Sequence, residues 1–263
     1  AADAVREAAR ESGLAEGDPA RAEAVLAAST AMIDALRRSG HPLATIAGRE
    51  IWVDHDRRAM DIDGRIAPGP RARFDRPTVS GQVRTNAGLL ERTAARRLEG
   101  RDYAPATLER ARRALVALGV FDSVRAEPGT ALTPEGRLPV NFRVSERPLR
   151  SVGGTLSWET NYGLGLSLFW EHRNLFGGAE RLRIEGEAAR LAESDATDAT
   201  YRVFATLTLP EILGHDARLI ARGGAVRERL DAYDREALVA SALAERALSD
   251  RLALQAGPSF ETG

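Results

Sequence analysis

From Arg150 onward the sequence is divided into short segments in which every second residue is apolar or small. Val152, Gly154, Leu156 and Trp158 alternate with Gly153, Thr155, Ser157 and Glu159. Leu164, Leu166, Leu168 and Trp170 alternate with Gly165, Ser167, Phe169 and Glu171, and Leu182, Ile184, Gly186 and Ala188 with Arg181, Arg183, Glu185 and Glu187. Successive side chains of a strand point to opposite faces, so each segment has one apolar face and one polar, often charged, face. A length of about nine to eleven residues suits a tilted strand crossing a bilayer. Apolar-out, polar-in alternation at that length is the pattern of a transmembrane β-barrel. A half-buried soluble sheet alternates in the same way, so the rest of the chain has to discriminate.

Composition removes several classes. The 37 basic and 38 acidic residues leave a net charge of −1, which excludes a general electrostatic affinity for nucleic acid. Without cysteine, neither a disulfide framework nor a thiolate metal site is possible. No run of about 18 apolar residues exists to form a transmembrane helix. No charged stretch followed by an apolar one opens the chain. An exported protein beginning at Ala1 is then expected to be a mature form or a fragment, and the strand pattern near Gly263 favours a fragment.

The first 150 residues hold a diverged internal repeat. In the first copy, Asp18-Pro19 reads as a helix N-cap and first-turn proline. The helix that follows carries Val25, Ala28 or Ser29, Met32, Ile33 and Leu36 on one face, and Gly40 ends it. A strand fits Ala44–Val53, Asp54-His55-Asp56-Arg57 a turn, and Met60, Ile62, Gly64 and Ile66 a second strand. In the second copy, a helix from Pro105 carries Leu108, Ala111, Leu115 and Leu118 and ends at Gly119. Val120–Glu127 and then Leu138, Val140, Phe142 and Val144 form its strands. Leu36 and Gly40 precede Leu115 and Gly119 by 79 residues; Ile46, Met60, Ile62, Ile66 and Pro70 precede Val124, Leu138, Val140, Val144 and Pro148 by 78. The second copy also has an opening strand, Arg73–Val79, and a first helix over Ala87–Leu98. Its order is β-α-α-β-β. The first copy lacks the opening strand, and Asp3–Ser12 remains of its first helix.

These residues carry a resemblance. Leu115–Val124 (LVALGVFDSV) followed by Leu138–Glu146 (LPVNFRVSE) resembles a POTRA domain, as does Leu36–Ala44 (LRRSGHPLA) followed by Met60–Pro70. Tandem POTRA modules running into β-strands resemble outer-membrane assembly factors of the BamA/TamA superfamily. Ser151–Glu187 is most similar to the barrel entry of the TamA branch, and its most specific part is Glu171–Leu182 with the N-L-F-G-G turn. The expected fold class is therefore α+β POTRA modules followed by the N-terminal strands of an antiparallel transmembrane β-barrel. The expected boundaries are a POTRA-like module at 1–71, a POTRA module at 72–149 and about seven barrel strands at 150–263. The last four strands are expected near Tyr201–Leu209, Ala217–Glu228, Glu236–Ala247 and Arg251–Phe260.

Turn positions set the topology. If Arg150 leaves the periplasm, Asn161-Tyr162-Gly163, Glu193–Asp198 and Leu230–Asp234 are outer loops. Asn174–Gly178, Pro210–Asp216 and Ser249-Asp250 are then periplasmic turns. Trp158, Tyr162, Tyr201 and Tyr233 fall at the outer strand ends, and Trp170 and Phe176 at the inner ones, where interfacial girdles sit. Leu156, Leu166, Leu168, Leu182 and Ile184 are expected to face lipid, and Ser157, Ser167, Arg183 and Glu185 the lumen.

The resemblance implies an outer membrane location in a Gram-negative bacterium, with the POTRA modules in the periplasm. It implies unfolded outer-membrane protein or autotransporter clients, the lipid bilayer and an inner-membrane-anchored, TamB-like protein as partners, with no nucleic acid. By the same resemblance, clients add to edge strands at Ile46, Gly48, Glu50 and Val53 and at Val124, Arg125, Ala126 and Glu127. Val152, Gly153, Gly154, Leu156 and Trp158 would line one side of the barrel seam. Gly153 and Gly154 either loosen that seam or relieve crowding at the barrel entry.

No chemistry rises above this reading. His41, His55, His172 and His215 are far apart, and Asp54-His55-Asp56 reads as a hairpin turn rather than a metal site. Glu185 and Glu187 share a face, but with Arg181 and Arg183 they form a charge ladder rather than an acid/base pair. No nucleophile-elbow, phosphate-loop or dinucleotide pattern occurs. The chain is expected not to be an enzyme and to need no cofactor or metal. Rival readings are a two-partner secretion transporter, a BamA-type insertase, a soluble periplasmic scaffold and, most remotely, an outer-membrane lipase.

Overall fold

The computed structural model describes residues 2–11, 17–19, 21–159, 163–191, 199–212, 214, 217–230, 233–249 and 252–263. The chain forms two compact units. One comprises Ala1–Ser80, Glu91–Leu115 and Val124–Val144; the other comprises Gly81–Leu90, Val116–Ser123 and Ser145–Gly263.

The first unit begins with helices α1 (Ala2–Glu11) and α2 (Ala22–Arg38), followed by the hairpin β1 (Thr45–Asp54) and β2 (Ala59–Ala67). Helix α2 buries Val25, Ala28, Ile33, Ala35 and Leu36, the face that its apolar spacing marks. Ile33, Leu36 and Ala44 form a small core onto which Val5 and Ile66 pack. Asp18-Pro19 does not start α2. The helix begins at Ala22, with Arg21 as an N-cap that makes no side-chain bond. The helix therefore starts one turn ahead of its first buried residue, Val25, rather than at the sequence cap. Gly40 has φ +102° just past the helix end, a conformation that Leu or Ala would adopt only with strain.

The second copy contains β3 (Arg73–Phe74), β4 (Thr78–Ser80), α3 (Ala87–Leu98), α4 (Pro105–Ala117), β5 (Phe121–Pro128), β6 (Arg137–Leu138) and β7 (Val140–Glu146). The expected strand Arg73–Val79 is two short strands, because Pro77 has no N–H to donate. Phe74 and Asp75 instead donate their N–H groups to Arg101 O and Leu138 O at 2.8 and 2.9 Å. Pro139 divides β6 from β7 in the same way. β3 pairs in parallel with β6, and β4 in parallel with β7 in a sheet ordered β4-β7-β5.

The repeated positions differ in burial. Val124, Leu138 and Val140 are 6%, 0% and 2% exposed, while their first-copy equivalents Ile46, Met60 and Ile62 are 38%, 40% and 36% exposed. Among the described residues the first copy has only the β1-β2 hairpin, with no counterpart of β4 beside β2. The residue by which the two offsets differ is absorbed in the turn at Pro42-Leu43, ahead of β1.

The other unit is built on an antiparallel sheet in the order β14-β13-β12-β11-β10-β9-β8. Its strands are β8 (Arg150–Glu159), β9 (Gly163–Arg173), β10 (Arg181–Ala189), β11 (Thr200–Pro210), β12 (Ala217–Leu230), β13 (Tyr233–Ser249) and β14 (Leu252–Ala256), and β15 (Ser259–Thr262) also pairs with β13. The expected seventh strand, Arg251–Phe260, is thus split into β14 and β15. Pro258 interrupts it, and a Cβ on Gly257 would collide with Ala242 O. At the expected outer loop Leu230–Asp234, Leu230 pairs with Tyr233 and Arg229 with Asp234, and residues 231–232 lie outside the described residues. The expected loops at Asn161-Tyr162 and Glu193–Asp198 lie outside the described residues.

Register places Leu156 opposite Leu166, Leu166 opposite Ala188, and Ile184 between Trp170 and Ala205. One face of the sheet therefore presents Val152, Leu156, Trp158, Leu168, Ile184, Val203 and Leu238 outward, all exposed. Ser157, Ser167, Arg183 and Glu185 lie on the opposite face, as the alternation requires.

Candidate functional site: free strand edges and a charged wall

The polar face of the sheet is an ion-pair ladder. Arg183 lies 3.1 Å from Glu185 and 3.9 Å from Glu171; Arg222 reaches Glu185 at 3.4 Å. Arg202 bridges Glu187 at 3.7 Å and Glu228 at 2.7 Å, and Arg235 meets Glu228 at 3.6 Å. Apart from Glu171, these groups border a hollow of about 600 Å³ together with Phe169 and Phe204. Each carboxylate of the Glu185, Glu187 and Glu228 set is neutralised by an arginine on the same or a neighbouring strand. That geometry makes this face of the sheet an ion-paired wall.

The strands with an unpaired edge among the described residues include the three that the sequence singles out. β1 pairs only with β2, β5 is the outer strand of β4-β7-β5, and β8 pairs only with β9. In β1, a bulge between Ile46 and Gly48 divides the strand, Glu50 accepts from Arg65 at 2.5 Å, and Val53 faces Met60. Continuous pairing along that edge would thus run from Gly48 to Asp54. In β5, Val124 is turned into the core, Arg125 is exposed, Ala126 is half-buried and Glu127 pairs with Arg143 at 3.0 Å. Phe121 is 4% exposed and belongs to the core.

In β8, Val152, Leu156 and Trp158 are exposed on the outer face. Gly153 and Gly154 have a specific packing role. A Cβ on Gly153 would lie 2.5 Å from the Phe169 ring, and one on Gly154 would lie 2.7 Å from the Leu168 side chain. Of the two roles open for these glycines, the geometry supports relief of crowding against β9.

A polar cluster that sequence reasoning missed joins the segment Gly81–Leu90 to the turn after β9. Asn174, at φ +64°, donates from Nδ2 to Thr85 Oγ1 at 3.1 Å and accepts from Ala179 N at 2.9 Å. Asn86 N donates to Gly177 O at 2.8 Å, and Asn86 Oδ1 caps α3 by accepting from Leu89 N. The Glu146 carboxylate accepts from the N–H groups of Val83, Arg84 and Thr85 at 3.2, 3.1 and 2.8 Å. Burial works against its charge, but those N–H groups and the Thr85 hydroxyl hold the Glu146 carboxyl below its ordinary value. The following chain is bonded too. Arg147 N donates to Val120 O, its side chain pairs with Asp122 at 3.1 Å, and Arg173 N donates to Leu149 O at 2.7 Å. The available sequence signal was N-L-F-G-G, whose Asn and Gly tolerate the left-handed conformation the turn uses.

The remaining candidates have structural roles. His41 Nδ1 is bonded to Gly69 O at 2.8 Å. Asp54 Oδ1 accepts from the N–H groups of Asp56 and Arg57, closing the β1-β2 turn. Among the described residues, no group of three His, Asp or Glu residues is placed to hold a metal.

The architecture defines the class: α+β POTRA modules leading into the N-terminal strands of an antiparallel transmembrane β-barrel. No family model matches the chain. It is 28% identical over 169 residues to outer membrane protein assembly factor BamA of Neorickettsia risticii (strain Illinois), across 62% of this chain and 21% of that protein. It superposes with a TM-score of 0.71 and 17% identity on BamA from Haemophilus ducreyi lacking POTRA domains 1–3, covering 97% of this chain and 48% of that one. The chain thus spans about a fifth of the curated relative and about half of the solved one. Its sequence is thus similar to that of BamA, and it shares the fold of the BamA modules and barrel strands it superposes on.

Proposed function

We propose that this chain is part of a non-enzymatic factor that assembles or translocates outer-membrane proteins. The observation that carries this reading is the set of free edges on β1, β5 and β8, each able to accept an extended segment through main-chain hydrogen bonds. Backbone pairing makes little demand on client sequence, which suits unfolded barrel or autotransporter polypeptides. The POTRA edges at Ile46–Val53 and Val124–Glu127 would receive such segments, and β8 would form one side of the barrel seam. The Glu171–Leu182 turn supports placement on the TamA branch, with a TamB-like inner-membrane protein as partner. The uniformly ion-paired wall supports a role without catalysis or a cofactor.

Site-specific crosslinking in intact cells along Ile46–Val53, Val124–Glu127 and Val152–Glu159 tests the proposal. Client adducts are expected at alternate residues, because only every second side chain shares a face. Adducts confined to α3 and α4, with assembly proceeding normally, would rule out strand addition.

A further inference from the structure

On the outward face of the sheet, the charged side chains of the described strands lie at the two ends, and the two ends differ. At the far end, Arg227 is opposite Glu236 and Arg229 is opposite Asp234. These groups neutralise one another. Arg227 lies 3.4 Å from Glu236, and Arg229 lies 2.6 Å from Asp234 and 3.2 Å from Glu236.

At the end where β8 begins, the outward charge is basic. Arg150 is opposite His172, in the same outward rows as Val152 and Trp170. Arg246 is opposite Ala217, where β12 begins. Both arginines are exposed, and neither makes an ion pair among the described residues. The arginines of the inward wall contrast with them, since Arg183, Arg202, Arg222 and Arg235 each meet a glutamate. The surroundings of Arg150 and Arg246 are those of a boundary between hydrocarbon and water. The Trp170 and His172 rings lie 6.0 Å apart beside Arg150, and Phe176 is exposed in the turn after β9. Leu254, opposite Arg246, and Leu248 are exposed beside the other arginine.

We propose that Arg150 and Arg246 form a cationic rim that binds the phosphates of anionic phospholipids in the leaflet on the periplasmic side. Each side chain can lay its apolar stem along the outward face and extend its guanidinium to the headgroups. The guanidinium fork matches two oxygens of a phosphate, and no carboxylate of the outward rows competes for it at this end. Phosphatidylglycerol leaves its phosphate uncompensated, whereas the choline of phosphatidylcholine offsets it. The rim rests on the placement of the sheet in a bilayer and is independent of strand addition to clients.

Quenching of single tryptophans by brominated lipids tests this on the complete protein in phosphatidylcholine vesicles. A fraction of the lipid is replaced by dibrominated phosphatidylglycerol or dibrominated phosphatidylcholine. One variant keeps only Trp170, beside Arg150, and another keeps only Trp158, at the far end of β8. Trp170 should report an affinity for phosphatidylglycerol about fivefold that for phosphatidylcholine, and Trp158 a difference below about twofold. Arg150→Gln should bring Trp170 to the Trp158 level, while Arg150→Lys keeps the preference. Leu248→Trp as the sole tryptophan reports Arg246 in the same way, and Arg246→Gln should abolish the preference there but not at Trp170.

Equal affinities at Trp170 with both arginines intact would overturn the rim without any arginine variant. Loss of the preference on adding inorganic phosphate at matched ionic strength would overturn it in favour of a free-anion site. A photocrosslinker at position 150 that captures a protein rather than lipid in intact cells would overturn it in favour of a docked partner. Quenching of neither tryptophan by either lipid would refute the bilayer placement and the rim together. Loss of client crosslinks with the lipid preference intact would count against the assembly function alone.

Discussion

Asn174 donates to Thr85 across 3.1 Å, a buried hydrogen bond between residues 89 apart in the sequence. The Thr85 hydroxyl also stabilises the Glu146 carboxylate, so one side chain links the turn after β9 to the end of β7.

Thr85→Val keeps the shape and removes the hydroxyl. The Asn174 amide then loses a buried partner, so stability should fall by about 1–3 kcal/mol. Denaturant titration of the variant, alone and combined with Asn174→Gly, measures this. Additive losses from the two changes would show that the bond contributes nothing.

The Glu146 carboxyl is held below its ordinary value by the N–H groups around it. Its folded value therefore lies below an unfolded value of about 4.3. The stability it contributes is complete above that unfolded value and is lost as pH falls through the folded one. Glu146→Gln should show a shallower loss of unfolding free energy on acidification than the wild type. Denaturant curves over roughly pH 3–7 check the difference.

The two faces of β9 should tolerate charge unequally. Arginine at Leu166, on the outward face, should cost about 2–4 kcal/mol near the middle of the bilayer. Arginine at Ser167, on the charged wall, should cost much less. Folding titrations into lipid vesicles compare the pair, and equal tolerance would refute the assignment of faces.

Leu115 is 0% exposed, and Leu115→Ala should cost about 2–5 kcal/mol through lost burial and the cavity left behind. A fragment Arg71–Pro148 should fold alone, because β4 completes its sheet. Ala1–Pro70 should not, because Ile46, Met60 and Ile62 stay exposed on a two-stranded hairpin. Circular dichroism melts of the two fragments give the answer, and a cooperative transition in Ala1–Pro70 would contradict it.

Much of this architecture was legible because period is a local property. Alternation at Leu164–Trp170 and Leu182–Ala188 marked both strands and their faces, and the spacing of Leu90, Ala94 and Leu98 marked α3 over Ala87–Leu98, the observed span. Prolines were underweighted. Pro77, Pro139 and Pro258 each divide a strand read as continuous, because the missing N–H outweighs the apolar pattern around it. Asp18-Pro19 erred in the opposite direction: a helix-start signal without a buried face beside it did not start a helix.

The sequence by itself determined the alternating strands and the arginine-glutamate face, because these depend on residues a few positions apart. Which glycine lies under which ring, and which carboxylate meets the Val83–Thr85 amides, were decided only in the tertiary structure. Those relationships join Gly153 to Phe169 and Glu146 to Thr85, residues with no shared period. Only strand register and chain crossing set such distances, and neither is written in the spacing of side chains along the chain.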